Sequence, residues 1–210
     1  MMMRLLAVMA LFVLTACGAD NVWSDDTQIM QARYVAPAPT SITLFTVINE
    51  QNGSGAHSAL LINGSEQVLF DPAGSMRLST MPERHDVLYG ATPRMVNAFV
   101  DYHVRPAFRM TEQTRVVSPE IAEMILARVK ANGSVPKAHC ANAISRILHD
   151  IPGFEDTSVT YFPNQLAKRF GSYSNVSFKM INNASVDTSH GVTFIDPKDK
   201  DGLKKANLAK

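Results

Sequence analysis

Cys140 opens an amphipathic run, Ala141, Ile144, Ile147, Leu148 and Ile151, directly after the proline-containing stretch Val135-Pro136-Lys137-Ala138-His139. Apolar residues at spacings of three and four predict a helix with the cysteine in its first turn, closed by Pro152-Gly153. The first turn of a helix holds N–H groups with no intrahelical acceptor and the positive end of the macrodipole. Both favour a thiolate over a thiol. The same N–H groups, that of Cys140 included, are placed to receive the oxyanion of a tetrahedral intermediate. Read without its surroundings, the segment is equally compatible with a cysteine that is only a small buried hydrophobe.

A cysteine nucleophile needs a base, and the chain holds six histidines. His139 is adjacent to Cys140, and neighbouring side chains diverge, so it flanks the cleft with Asn142 rather than serving as base. His85, His103, His149 and His190 read as surface groups in or beside loops. His57 differs, because it follows the glycine loop Gly53-Ser54-Gly55 and opens the apolar strand His57-Ser58-Ala59-Leu60-Leu61-Ile62. Asn63-Gly64 is a hairpin signal of the type I′ kind, and Gln67-Val68-Leu69-Phe70-Asp71 returns as the next strand until Pro72 stops it. Antiparallel pairing across that turn brings His57 and Asp71 together. There a carboxylate would orient the imidazole and stabilise imidazolium. The alternative for Asp71 is a turn-forming residue before Pro72.

The elements that must position these groups are strands and helices in mixed order. Ile42 to Ile48 is β-branched and apolar, a strand. Residues 75–85 read as a surface loop and 86–90 as a short strand. Thr92-Pro93 caps and opens a helix to about His103. Residues 114–117 suggest a strand, and Ser118-Pro119 starts a helix closed by Asn132-Gly133. Pro163 to Phe170 is a short helix stopped by Gly171. Asn175–Ile181 and Gly191–Ile195 are late strands. The expected class is α+β, an antiparallel sheet packed against helices that include the cysteine helix.

The N-terminus sets the compartment. Arg4 precedes the apolar run Leu5–Leu14, followed by Thr15-Ala16-Cys17-Gly18. This is a secretory signal, too short to span a membrane, which takes roughly 20 apolar residues. Leu14-Thr15-Ala16-Cys17 resembles a bacterial lipobox, with residues 1–16 removed and Cys17 lipidated. Residues 17–40, ending in Ala36-Pro37-Ala38-Pro39-Thr40, read as a flexible tether, with Trp23 as a membrane-interface or docking contact rather than core. Residues 41–197 form the domain, and 198–210 are a charged tail. Gly18 in place of an aspartate favours the outer membrane, with the domain facing the periplasm. The chain has two cysteines. If Cys17 carries lipid, Cys140 is a lone thiol in an oxidising compartment, where a free thiol is either buried or used.

Composition excludes some partners. With 20 basic and 19 acidic residues and 8% aromatics, there is no cationic field for nucleic acid. No His, Cys and Asp stand at ligand spacing, so no metal and no cofactor is expected. The membrane, through lipid on Cys17, is the expected partner of a monomer.

Three pieces in their order carry a family resemblance: Gly55-Ala56-His57-Ser58-Ala59-Leu60-Leu61-Ile62, Val68-Leu69-Phe70-Asp71-Pro72-Ala73-Gly74 and His139-Cys140-Ala141-Asn142-Ala143-Ile144. Tyr161-Phe162-Pro163-Asn164-Gln165-Leu166-Ala167 adds a fourth. Histidine before cysteine resembles the circularly permuted papain-like cysteine hydrolases, which include permuted NlpC-type peptidases and lecithin:retinol acyltransferase-like proteins. The resemblance covers roughly residues 41–171. It implies Cys140 as nucleophile, His57 as base and a polar third residue, for which Asp71 is the choice. It implies an acyl-enzyme formed from an amide, ester or thioester, with cell-wall peptide or a lipid-linked acyl group as substrate. The stretch 75–117 departs from it as a long insertion that would lid or occlude the cleft. A catalytically inactive envelope lipoprotein, serving as a binding or scaffold module, is the competing expectation.

Overall fold

The computed structural model describes residues 19, 21–74, 76–78 and 80–182. Seven strands form one antiparallel sheet: β1 Ser41–Asn49, β2 Gly55–Asn63, β3 Gln67–Phe70, β4 Glu83–Arg84, β5 Val87–Tyr89, β6 Phe108–Val116 and β7 Val176–Ile181. Their order across the sheet is β4-β5-β3-β2-β1-β6-β7. Among the described residues, five helices accompany it: α1 Asp26–Ala32, α2 Pro93–His103, α3 Pro119–Ala131, α4 Cys140–His149 and α5 Pro163–Phe170. The α+β class and the antiparallel sheet are as expected.

Both faces of the sheet are covered, which explains why β1 reads as a continuous apolar run rather than an alternation. Ile42 and Leu44 point into one core with Ile125 and Val129 of α3, Ile144 and Leu148 of α4, and Leu166 and Phe170 of α5. Phe45 and Val47 point the other way, into a second core with Met95 and Phe99 of α2. The period of two along the strand divides its residues between the cores.

Several expectations are corrected. Residues 22–40 are not a free tether. Asp25 and Gln28 form a capping box on α1, Gln67 N–H donates to Tyr34 C=O at 2.7 Å, and the Asn63 amide donates to the carbonyls of Pro37 and Pro39. This stretch is polar because it satisfies its hydrogen bonds along the sheet rim, not because it is unpacked. Trp23 is 61% exposed, under the Arg84 guanidinium, as an outward-facing residue should be.

The hairpin turn also differs. Asn63 stays in β2, paired with Gln67, and the loop is Gly64-Ser65-Glu66. Asn63 is held in the strand by its own side-chain bonds to the 37–39 segment, and Glu123 of α3 captures the Ser65 N–H and hydroxyl. Residues 76–85 are not a surface loop, since Met76, Leu78 and Met81 are buried in the second core. The described residues of the 75–117 stretch are part of the sheet and its cover. They supply β4, β5, α2 and β6, and β6 pairs along the whole of β1. The 191–195 strand, Cys17, His190 and the 198–210 tail lie outside the described residues.

Candidate active site

Strands β2 and β3 pair only from Asn63↔Gln67 to Leu60↔Phe70. Beyond Leu60 and Phe70 the pairing ends, and Cys140 at the start of α4 meets His57 and Ser58 of β2. On the other side of β2 the ladder with β1 slips: Val47 pairs with His57 and Ile48 with Gly55, leaving Ala56 as the extra residue of a bulge. A bulge re-aims the side chains beside it, here that of His57.

His57 Nε2 lies 2.6 Å from Asp71 Oδ1. Asp71 is 2% exposed and His57 15%. With Nε2 engaged by the carboxylate, Nδ1 is the ring nitrogen left for the hydrogen bond between His57 and Cys140. The sulfur also accepts from the backbone N–H groups of Ser58 and Ala141. The Ser58 N–H can turn to the sulfur because β3 has already left the ladder at that point. Ala141 N–H belongs to the first turn of α4, whose donors have no partner within the helix.

These contacts set the charges. Burial pushes the His57 pKa down, but the Asp71 charge and hydrogen bond, with the Cys140 sulfur, outweigh it and raise it from 6.5 to about 10. Burial pushes the Cys140 thiol up, but the hydrogen bond and charge of His57, with the Ser58 and Ala141 N–H groups, hold it below its ordinary value. Burial likewise pushes Asp71 up and is outweighed by His57, with smaller help from His103 and Arg77. The arrangement keeps His57 as imidazolium at neutral pH and shifts Cys140 towards the thiolate, the direction of an activated cysteine.

The loops that carry these groups are strained and braced. Of the five non-glycine residues with positive φ among the described residues, four lie here: Ala73, His85, Asp86 and Ala138. Ala73 follows Asp71 by two residues and Ala138 precedes Cys140 by two. Such backbone costs of order 1–3 kcal/mol per residue and persists only where the surroundings fix it. Asp86 does much of the fixing. Its Oδ2 accepts from Val135 N–H at 2.7 Å and Ala73 N–H at 3.3 Å, and its carbonyl accepts from Asp71 N–H at 2.8 Å. One residue thus joins the loop before Cys140 to the loop after Asp71. Gly74 lies against the Asp71 carboxylate so closely that a Cβ there would overlap it.

The sequence brought His57, Asp71 and Cys140 forward, and the fold brings them together. His139 does not join them. It stands edge-on to Tyr161 and bonds the Lys137 carbonyl. Asn142 is half-buried, and its carbonyl accepts from Ser145 Oγ inside α4. His149 is half-exposed, as expected. His103 corrects the sequence reading: it is no surface residue but lies parallel to the His57 ring, centroids 5.4 Å apart, with Nδ1 bonded to the Phe99 carbonyl. Burial pushes its pKa down to about 4, despite the nearby Asp71 charge, so it is neutral where His57 is charged. The signal for it was present, because Met95, Phe99 and His103 share one stripe of α2 at i, i+4 and i+8.

A cavity of about 350 Å³ opens beside His57, walled mainly by Val47, Phe108, Tyr102 and His103, with Arg105 also in its wall. A larger one, about 750 Å³, lies by His149, Glu155 and Lys168 and contains none of the three residues. No protein-family model, curated protein or solved structure matches the chain significantly.

Proposed function

We propose that this chain is a cysteine hydrolase or acyl transferase of the circularly permuted papain-like kind, held at the bacterial outer membrane by lipid on Cys17 and facing the periplasm. One observation carries the catalytic part: the His57 ring bridges the Cys140 sulfur and the Asp71 carboxylate, while two backbone N–H groups also reach that sulfur. A buried structural cysteine needs neither a charged base nor N–H donors.

The chemistry follows from these positions. The Cys140 thiolate adds to the carbonyl of an amide, ester or thioester, and the C=O electron pair moves to oxygen. N–H groups of the α4 first turn stabilise that oxyanion. His57 imidazolium gives its proton to the departing amine, alcohol or thiol, which leaves the acyl group on sulfur. Neutral His57 then takes a proton from water, or from another acceptor, which attacks the thioester and restores the thiolate and imidazolium. Asp71 keeps the ring oriented and charged throughout. Peptidoglycan stem peptides and lipid-linked acyl groups are the substrates that the location offers.

For the anchor, the support is the Leu14-Thr15-Ala16-Cys17 pattern, together with the finding that no helix among the described residues is long and apolar enough to cross a membrane. Metabolic incorporation of labelled palmitate, lost in Cys17→Ala, is the expected result.

The catalytic test is a p-nitrophenyl ester burst. The full chain should release about one equivalent of nitrophenol rapidly and gain an acyl mass on Cys140. Cys140→Ala should show neither, and His57→Ala should lose the burst. If no adduct forms, and Cys140 alkylates with iodoacetamide no faster than a free thiol, the mechanism is wrong and an inert binding module is the better reading.

A further inference from the structure

Sequence spacing offered no metal-ligand set, yet the fold assembles one from three separate elements. One ligand atom each from His57, Asp71 and His103 lie within 4.8 Å of one another. We propose that these three side chains form an inhibitory site for a borderline-soft divalent cation, with Zn²⁺ as the matching ion. Its effect on the enzyme rests on the cysteine-hydrolase reading; its binding does not.

Three observations point to a ligand here. Asp71 Oδ2 is buried and has no hydrogen-bond partner, although Oδ1 is engaged by His57. A buried carboxylate oxygen left unpaired costs free energy that a cation or donor would recover. Second, His103 Nδ1 bonds the Phe99 carbonyl at 2.9 Å. The ring nitrogen beside a carbonyl carries the proton, so Nε2 is the lone-pair nitrogen. This is the outer-shell arrangement typical of a metal-binding histidine. Third, the cavity beside His57 and His103 is also lined by Gly74, which lies against the Asp71 carboxylate, so an ion has a route in.

Two imidazoles and one carboxylate suit Zn²⁺, at about 2.0–2.2 Å per bond, and disfavour Mg²⁺ and Ca²⁺, which take oxygen ligands. The three atoms must close up to share one ion, since ligands on one Zn²⁺ stand nearer to one another than 4.8 Å. Zn²⁺ would replace the proton that His57 Nε2 shares with Asp71, releasing one proton to solvent. His57 would then hold its remaining proton on Nδ1 while its other nitrogen donates to the metal. It can then neither take up nor give a proton, so acyl transfer stops, while its Nδ1–H and the charge of the ion still favour the thiolate. Cys140 lies across the ring on the Nδ1 side and is not a ligand.

The experiment is competition of Zn²⁺ between the purified full chain and a chromogenic chelator, alongside p-nitrophenyl ester turnover with and without Zn²⁺. Wild type should bind one Zn²⁺, and ester turnover should slow at least tenfold with the ion and recover with EDTA. His103→Ala should weaken binding at least tenfold. His103→Gln, which keeps a donor to the Phe99 carbonyl, should do the same if folding of the alanine variant suffers. Cys140→Ala should bind Zn²⁺ as wild type does. The proposal falls if wild type binds no Zn²⁺, if His103→Gln binds as tightly as wild type, or if Cys140→Ala abolishes binding. A chain that binds Zn²⁺ as stated but has an unreactive Cys140 without the ion would instead sink the hydrolase reading and leave the metal site standing.

Discussion

His57 and Asp71 are fourteen residues apart in the chain, yet their side chains meet at 2.6 Å where the two strands that carry them have ceased to pair. The contact is made at the open end of a hairpin, so the side chains rather than the ladder hold it. Charge therefore matters more to it than backbone geometry.

Replacing Asp71 with Asn removes the anion that keeps His57 protonated. Burial then dominates, the His57 pKa falls from about 10 and that of Cys140 rises. Alkylation of Cys140 at pH 6 should slow about tenfold for each unit by which its pKa recovers. The stability of the pair has a sign at each end. His57, raised in the folded state, contributes fully below 6.5, and that contribution is lost as pH rises through about 10. Asp71, lowered, contributes fully above 3.8 and loses its share as pH falls. The pair by itself thus contributes most between about pH 4 and 6.5, and the alkaline decline in urea midpoint should be absent from His57→Gln.

Gly74→Ala tests whether the carboxylate position matters apart from its charge. The added methyl would meet the Asp71 carboxyl group and push it off His57. The ester burst should fall by an order of magnitude or more, about 1.4 kcal/mol per factor of ten, with Asp71 still ionised. An unchanged burst would mean that the Asp71 to His57 contact is not needed.

How much of this was readable beforehand depends on the range of the interaction. Cys140 was visible because a helix N-terminus and a proline loop are local signals. His57 and Asp71 were visible because hairpin arithmetic survives a wrong turn: the loop is Gly64-Ser65-Glu66 instead of a two-residue turn on Asn63-Gly64, yet the strand ends still meet. His103 was missed because a helix-terminal histidine looks solvated until the facing strand is known. Asp86 was missed because its partners, Ala73 and Val135, come from distant loops, and the turn His85-Asp86 adopts left-handed backbone without a glycine to announce it. The packing of residues 22–40 was hidden by composition, since it is built on hydrogen bonds more than on apolar contacts.

Asp86→Ala should act on both sides of the site at once. It leaves the Val135 and Ala73 N–H groups without their acceptor, at about 1–3 kcal/mol for each buried donor. Melting temperature and Cys140 alkylation should fall together, with Asp86→Asn, which retains an amide oxygen, partly restoring both. If Asp86→Ala lowers stability while alkylation keeps its wild-type pH profile, the residue holds the fold but does not position Cys140.

Glu83 sits behind the same braced loops, 3% exposed and 3.2 Å from Arg77. Burial, with the Asp86 and Asp71 charges, raises its pKa from 4.5 to about 7 against the pull of Arg77. A carboxyl group raised in the folded state binds protons more tightly than in the unfolded chain. Its contribution is therefore full below 4.5 and is lost as pH rises through about 7, a loss of about 2–4 kcal/mol at most. This range lies above the one in which Asp71 gains with rising pH, which ends near 3.8. Glu83→Gln, neutral at every pH, should abolish the decline between pH 4.5 and 7 while leaving the alkaline decline from His57 in place. Urea midpoints measured across that range separate the two. A mutant whose midpoint falls with pH as steeply as wild type would assign the decline to another group and place Glu83 as an ordinary ionised partner of Arg77.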